Sequence, residues 1–351
     1  MSAVYYFIVI LVNNLIHLQN AKDIGDSCTL EDGSNGYCTG IKNCPEALEL
    51  LKNGSTQKVC KYVNGFPIVC CSETSGQFPG AKSLKYCKEV QTPLDEHVRL
   101  RFVRLIGGGK PSKPREIPHM AALGFYSNGE IIWGCGGSLI STKFVLTAAH
   151  CLKSQEFGDV KHVRLGDLNL KSNLDDASPQ DFLVSKIHKH PDYKIPSKYN
   201  DIALIELYGE AKISAYVKPA CLNIRKNPRI KYYETSGWGS VSFHGEASDH
   251  LMKVYLYEVD NIECNTYFDS NERLYLYGIQ ESLQVCAGSP GKDTCKGDSG
   301  GPLQQVNYNY NNAYDIHGVT SFGKACLLTE SPGVYTRVSN YIEWIESIVW
   351  P

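Results

Sequence analysis

The stretch CKGDSGGP, residues 295–302, sets Ser299 among glycines and directly after Asp298. A serine hydroxyl is a poor nucleophile at neutral pH and needs a base to take its proton as it attacks. Two other stretches hold the partners such chemistry requires: LTAAHC (146–151) around His150 and YNDIALIEL (199–207) around Asp201. Each stretch alone is weak, because a lone His or Asp is usually structural or solvated. In combination, His150 can serve as the base, while Asp201 fixes the imidazole tautomer and stabilises the imidazolium formed during attack.

Around these stretches the apolar pattern comes in short segments rich in Val, Ile, Leu and Tyr: HMAALGFY (119–126), EIIWGCGGSLI (130–140), KFVLTAAHC (143–151), HVRLGDL (162–168) and DIALIEL (201–207). Gly, Pro, Asn and Asp separate them, which argues for an all-β sandwich or barrel. Only VSNYIEWIESIVW (338–350) has apolar residues at helical spacing, with Val338, Tyr341, Ile342, Trp344, Ile345 and Ile348 near one face, so a closing C-terminal helix is expected.

The order His, Asp, Ser in these three contexts resembles the chymotrypsin-like (S1) serine proteases over residues 106–351. That resemblance implies a mainly β fold, a double β-barrel with a C-terminal helix, and a triad of His150, Asp201 and Ser299. The backbone N–H groups of Gly297 and Ser299 would face the developing oxyanion, each donor contributing roughly 3 kcal/mol. Asp293 matches the pocket floor of trypsin-like members, Gly323 and Gly333 match the glycines of its wall, and Ser321 joins them in substrate binding. A buried carboxylate there would pair with Arg or Lys of a substrate. Pro332 departs from the tyrosine of sodium-activated relatives, implying no sodium site, and Phe322 replaces the usual tryptophan beside the substrate strand. The resemblance also implies disulfides Cys135–Cys151, Cys264–Cys286 and Cys295–Cys326, with Cys87 and Cys221 tethering an N-terminal chain to the protease.

The N-terminal region is of another kind. Fourteen cysteines suit an oxidising compartment, and six of them crowd residues 28–71, too short a segment for an adequate core. Three bridges would have to hold it, and sequence alone leaves fifteen pairings open. The gaps of nine, five, fifteen, nine and zero residues resemble the clip domain of arthropod proteases, whose pairing would be Cys28–Cys70, Cys38–Cys60 and Cys44–Cys71. Residues 72–105, polar with Gly and Pro, read as an exposed linker carrying the activation segment. Residues 1–21 hold a short apolar run, Val4 to Val12, that suits a signal peptide and secretion rather than a membrane span. A formal net charge of -2 gives no reason to expect nucleic acid or an anionic membrane as partner. Metal-binding cysteines are not expected, since the one tight pair, Cys70–Cys71, is adjacent.

In the family Asp298 pairs with an α-amino group that appears only when the chain is cut. The physics requires a free amine, with a pKa of about 8, to offset a buried carboxylate. Counting back twelve residues from Pro118 lands on Ile106, so the register favours a cut after Leu105, whereas a trypsin-like activator would prefer Arg104. Cleavage after leucine, like PHMAALG (118–124), is similar to the Snake-type clip proteases. Gly107 stands where the family usually has valine.

Asn53 begins the one sequon, NGS. The loop from Asp167 through Asp175 and Asp176 to Asp181 corresponds to a calcium-binding segment in some relatives, although six or more oxygens would be needed and a solvated acidic loop is the simpler reading. His188, His190, His244 and His317 are read as surface or structural. The expectation is a secreted clip-domain serine protease zymogen, cut by an upstream protease, cleaving after Arg or Lys in a protein substrate such as a downstream zymogen, and controlled by a serpin-type inhibitor. Its setting would be an extracellular cascade of immunity, melanisation or development. The rivals are a catalytically inactive scaffold and a venom protease.

Overall fold

The computed structural model describes residues 22, 24–63, 65–72, 78–93, 109–172, 174–175, 177–225, 230–240, 245–268, 273–289, 297–324 and 331–351. The signal-peptide reading, the activation bond at Arg104, Leu105 and Ile106, and the residues Gly107, Asp176, His244, Asp293, Cys295 and Cys326 lie outside them. Two compact units form, one of Met1–Ala81 with Ile224–Pro228 and one of Lys82–Asn223 with Arg229–Pro351. Among the described residues no helix is long and apolar enough to cross a membrane.

The smaller unit carries a four-stranded antiparallel sheet of β1 (Ser27–Thr29), β2 (Asn35–Gly40), β3 (Val59–Val63) and β4 (Phe66–Ser72), in the order β1-β2-β4-β3. Successive side chains of a strand point to opposite faces. Ile68 and Cys70 therefore join Cys28 and Cys38 on one face, while Val69 and Cys71 join Cys44 and Ala47 on the other. This alternation explains the adjacent cysteines: Cys70 bonds Cys28 and Cys71 bonds Cys44, stapling both faces of one strand, and Cys38–Cys60 completes the set. Helix α1 (Pro45–Lys52) starts on a proline suited to its first turn, and the Glu46 carboxylate accepts from the N–H and hydroxyl of Ser72 at 2.6 and 3.0 Å.

The larger unit is mainly β, two closed six-stranded barrels. After β5 (Lys110–Pro111), the strands β6 (Met120–Ser127), β7 (Glu130–Leu139), β8 (Phe144–Thr147), β9 (Lys153–Ser154), β10 (Gly158–Leu165), β11 (Gln180–Lys189) and β12 (Ala203–Leu207) follow in turn. The path β11-β12-β8-β7-β6-β10 closes where β10 pairs back to β11. The second barrel uses β14 (Tyr232–Gly237), β15 (Met252–Val259), β16 (Gln284–Gly288), β17 (Pro302–Val306), β18 (Tyr314–Phe322) and β19 (Gly333–Arg337), with β13 (Cys221–Leu222) flanking β18. Pairing of β18 with β19 closes it. Leu123, Leu146, Leu165 and Leu204 fill the first barrel, and Tyr233, Leu256, Val285, Leu303 and Tyr335 the second. Met120, Ala122, Trp238, Leu251 and Tyr314 form a shared cluster where the barrels meet.

The linker reading needs correction. Helix α2 (Ala81–Val90) buries Ser83 and Cys87, four residues apart on one face, and Cys87 is bonded to Cys221. The Ser83 N–H donates to the Glu346 carboxylate at 2.7 Å, Lys82 Nζ to the Trp350 carbonyl at 2.5 Å, and Gln91 Nε2 to the Pro219 carbonyl at 2.6 Å. Tyr86 accepts the Thr142 N–H at 3.1 Å. Small and polar residues make up the buried face, so hydropathy periodicity does not mark it. A second helix, α3 (Asn261–Tyr267), follows β15, and the expected closing helix is α4 (Ile342–Val349). Its buried face holds Ile342 and Ile345 as its pattern requires, plus Glu346 and Val349, which the expected face did not include, while Trp344 and Ile348 are half-buried.

Candidate active site

His150 sits in a short 3-10 turn, Ala149–Leu152, at the end of β8, and Cys151 beside it is bonded to Cys135. Asp201 precedes β12 and is fully buried. Its two oxygens divide the work: Oδ1 accepts the His150 backbone N–H at 2.9 Å, and Oδ2 lies 2.7 Å from His150 Nδ1. Oδ2 also accepts the Ser321 hydroxyl at 2.5 Å, while Thr336 Oγ1 donates to the Asp201 carbonyl at 2.8 Å. Burial pushes the Asp201 carboxyl up, but the charge and hydrogen bonds of His150 and the Ser321 hydroxyl outweigh it and hold the group below the usual carboxylate range. An ionised Asp201 makes His150 Nδ1 the donor, which leaves Nε2 free to accept a proton.

Ser299 lies in the turn before β17, brought to the barrel junction by its neighbours. Gly297 and Gly300 have φ of +105° and +77°, backbone that other residues rarely adopt. A Cβ on Gly300 would stand 2.2 Å from Thr147 Oγ1, so the turn presses on the strand that leads to His150. Gly136 N–H donates to the Ser299 carbonyl, and Gly300 N–H to the Thr320 carbonyl, both at 2.8 Å. Thr320 adjoins Ser321, so the turn is linked through one residue to the Asp201 site. Among the described residues no hydrogen bond joins His150 Nε2 to Ser299 Oγ, the usual looseness of such a pair without substrate, and neither Gly297 nor Ser299 N–H has an acceptor. Asp298 Oδ1 accepts the Gly239 N–H at 2.8 Å, and a Cβ on Gly239 would meet that carboxyl at 2.4 Å.

The other anticipated residues are placed as follows. Ser321, anticipated in substrate binding, donates its hydroxyl to Asp201. Gly333 pairs with Ala287 in β16, Gly323 is exposed beyond β18, and Gly288 packs against Pro332, whose Cα a Cβ there would approach to 3.0 Å. Cys264 is bonded to Cys286. Asn53 is exposed just past helix α1. In the acidic loop, Arg164 stands between two carboxylates, donating to Asp181 at 2.7 and 2.8 Å and to Asp167 at 3.2 Å, while Asp175 accepts the Ala177 N–H. His188 contacts Glu206, His190 packs edge-on to Tyr341 and Trp344, and His317 is buried against Tyr233. Sequence reasoning passed over Thr147 and Thr336, whose hydroxyls brace the site, and the buried His119; Thr147 and His119 sit inside quoted stretches, but nothing local marks the contacts they make.

Residues 106–345 match the trypsin family. The chain belongs to that family. It is 37% identical over 356 residues to the venom serine protease Bi-VSP of Bombus ignitus, covering 96% of this chain and 94% of that protein. Serine protease snk of Drosophila melanogaster shares 36% over 340 residues, covering 91% and 77% of the two chains. CLIP domain-containing serine protease B4 of Anopheles gambiae shares 32% over 358 residues, covering 94% of each. The likeness to clip-domain and insect serine proteases thus extends through the disulfide-rich N-terminal region.

Proposed function

We propose that this trypsin-family protein is a secreted serine endopeptidase zymogen that, once cut near Leu105–Ile106, hydrolyses protein substrates after Arg or Lys in an extracellular cascade. The observation that carries the reading is the buried Asp201, which grips His150 at both its backbone N–H and Nδ1 and is itself gripped by Ser321. In this reading Ser299 Oγ attacks the scissile carbonyl as its proton passes to His150 Nε2. The Gly297 and Ser299 N–H groups receive the oxyanion, and His150 returns the proton to the leaving amine. Water then repeats the sequence on the acyl-enzyme. Asp293 supplies the charge that selects Arg or Lys, with Gly323 and Gly333 keeping its pocket open.

A new α-amino group at Ile106 would reach Asp298, whose niche is built of glycines 237 and 239, and would organise the oxyanion site. The activating protease is a different enzyme with leucine specificity, and the partners are a downstream zymogen and a serpin-type inhibitor. We assign no calcium requirement, because Arg164 neutralises Asp167 and Asp181 from within. Identity to a bumblebee venom protease favours venom as a second setting. An inactive scaffold is disfavoured, since Ser299, His150 and Asp201 are all present. The test is N-terminal sequencing of the heavy chain after natural activation, followed by labelling with a phosphonate probe and peptide-library profiling. A heavy chain beginning at Leu105 overturns the register, preference for aromatic residues overturns the role of Asp293, and failure of Ser299 to react overturns the protease reading.

A further inference from the structure

On the second barrel, beside α3, a cavity of about 450 Å³ is lined by Glu258 and Val259 at the end of β15, Ile262 of α3, Glu281 ahead of β16, Arg337 at the end of β19, and Ile230. Its volume is that of a site able to take a ligand group. Arg337 is buried and committed: its Nε donates to the Glu281 carbonyl at 2.7 Å and its Nη2 to the Gln284 carbonyl at 3.3 Å. Asp260, also in the wall, is occupied as the cap of α3, accepting the Glu263 N–H at 2.9 Å. Two carboxylates, Glu258 and Glu281, thus share the cavity with one guanidinium. Burial pushes the Glu258 carboxyl above its ordinary range; Arg337 and Tyr233 pull against the rise, and the charge of Glu281 adds to it. The fully buried Tyr233 hydroxyl turns toward Glu258 without completing a hydrogen bond of ordinary geometry.

We infer that this cavity is a docking site for a basic side chain, Lys or Arg, of a partner protein. The inference goes beyond the protease reading above and does not depend on it, since none of the lining residues belongs to the catalytic group. One negative charge is left over in a half-buried setting, where a carboxylate gains most from a cation brought to it. The lining suits both ends of such a side chain. Ile230, Val259 and Ile262 offer apolar surface to its methylene stem, and Glu258 and Glu281 accept from its charged head. The carboxylates do not gather within 4.8 Å of one another as ligands of one metal ion would, so an extended cation fits better than a compact one. A protein is the better source than a free polyamine because Ile262 is 84% exposed at the cavity, an apolar edge that a surface arriving around the basic side chain would cover.

The experiment uses the full, uncut chain and a fluorescent peptide of four D-lysines, which resists cleavage, with binding read by anisotropy. Saturable binding is expected, weakening about tenfold with Glu258→Gln and with Glu281→Gln at low salt, and weakening for all forms as salt is raised. Ile262→Ala should weaken it about threefold through lost apolar contact. Glu281 and Ile262 are exposed, so their variants fold as the parent does even where Glu258→Gln does not. Glu130→Gln, exposed at the start of β7, should leave the affinity unchanged. Absence of saturable binding overturns the site, as does an affinity indifferent to Glu258→Gln and Glu281→Gln or lowered equally by Glu130→Gln. Displacement of the peptide by benzamidine, a ligand for the proposed Asp293 pocket, overturns it too and leaves the protease reading standing. Spermine binding as tightly as the peptide, with no effect of Ile262→Ala on either, overturns the assignment to a partner protein.

Discussion

Acid should destabilise the catalytic unit through one residue that takes no part in catalysis, His119. Its side chain is 1% exposed, and its Nε2 lies 2.7 Å from Gln304 Oε1, while Gln304 Nε2 donates to Glu234 Oε1 at 3.1 Å. Since the amide nitrogen of Gln304 is spent on Glu234, its oxygen must accept from the imidazole, which fixes His119 as the neutral Nε2–H form. The Tyr314 ring closes the pocket at 5.3 Å. Burial pulls the His119 pKa from 6.5 down to about 4, with the Gln304 hydrogen bond opposing weakly. A histidine with a depressed native pKa stabilises the fold fully above its unfolded pKa and loses that contribution as pH falls toward the native value. At pH 4 the loss amounts to about 3 kcal/mol, a large part of a domain's stability. His119→Gln keeps a donor toward Gln304 but cannot take a proton. Urea unfolding of both proteins, disulfides intact, measures the difference. All four tryptophans, Trp133, Trp238, Trp344 and Trp350, lie in the catalytic unit, so their fluorescence reports it alone. Asp201, also held low, and His190, lowered by burial, contribute equally to both proteins and cancel. The wild type should lose about 3 kcal/mol more than the variant between pH 7 and 4. Parallel pH dependences would refute a buried neutral His119.

Ser321→Ala removes a charge-assisted bond to Asp201 and should lower kcat/KM about tenfold, measured against titrated active sites; an unchanged rate would refute a positioning role for Ser321. Glu346→Ala leaves the Ser83 N–H without its acceptor and should cost about 1–2 kcal/mol in urea unfolding, whereas Ser347→Ala on the exposed side of the same helix should cost less than about 0.5. Equal effects would show that Glu346 does not tie the two helices. Chelation with EDTA should leave the thermal midpoint unmoved, because Arg164 occupies the charge site between Asp167 and Asp181. A fall restored by added calcium would show that the loop binds the ion.

The legible part of the fold was the part with a local pattern. Strands such as Met120–Ser127 and Ala203–Leu207 announce themselves by apolar runs between turn residues, and Ile342–Val349 by its helical stripe. The pairing of His150 with Asp201 was legible because each sits in a short distinctive context, as Ser299 does. What stayed hidden depends on partners distant in sequence. Helix α2 owes its burial to Glu346, Cys221 and Pro219, more than a hundred residues away, so its own composition reads as linker. The Arg164 bridge was equally invisible: the aspartates look like a cation site until the guanidinium of Arg164 is placed between Asp167 and Asp181.

The placement of α2 changes what the proposed cut accomplishes. A break between residues 104 and 106 severs the chain downstream of Ala81–Val90, so the helix belongs covalently to the released light chain and physically to the catalytic unit. Among the described disulfides the Cys87–Cys221 bridge would then be the one that crosses the cut, since the other five each stay within one side of it. It does not act alone. Glu346, the Trp350 carbonyl, the Thr142 N–H and the Pro219 carbonyl hold the same segment by hydrogen bonds, and Tyr86 packs on Trp350 at 5.2 Å between centroids. The proposed cut would therefore leave helix α2 docked on the catalytic unit, held by these noncovalent contacts even where the bridge is reduced.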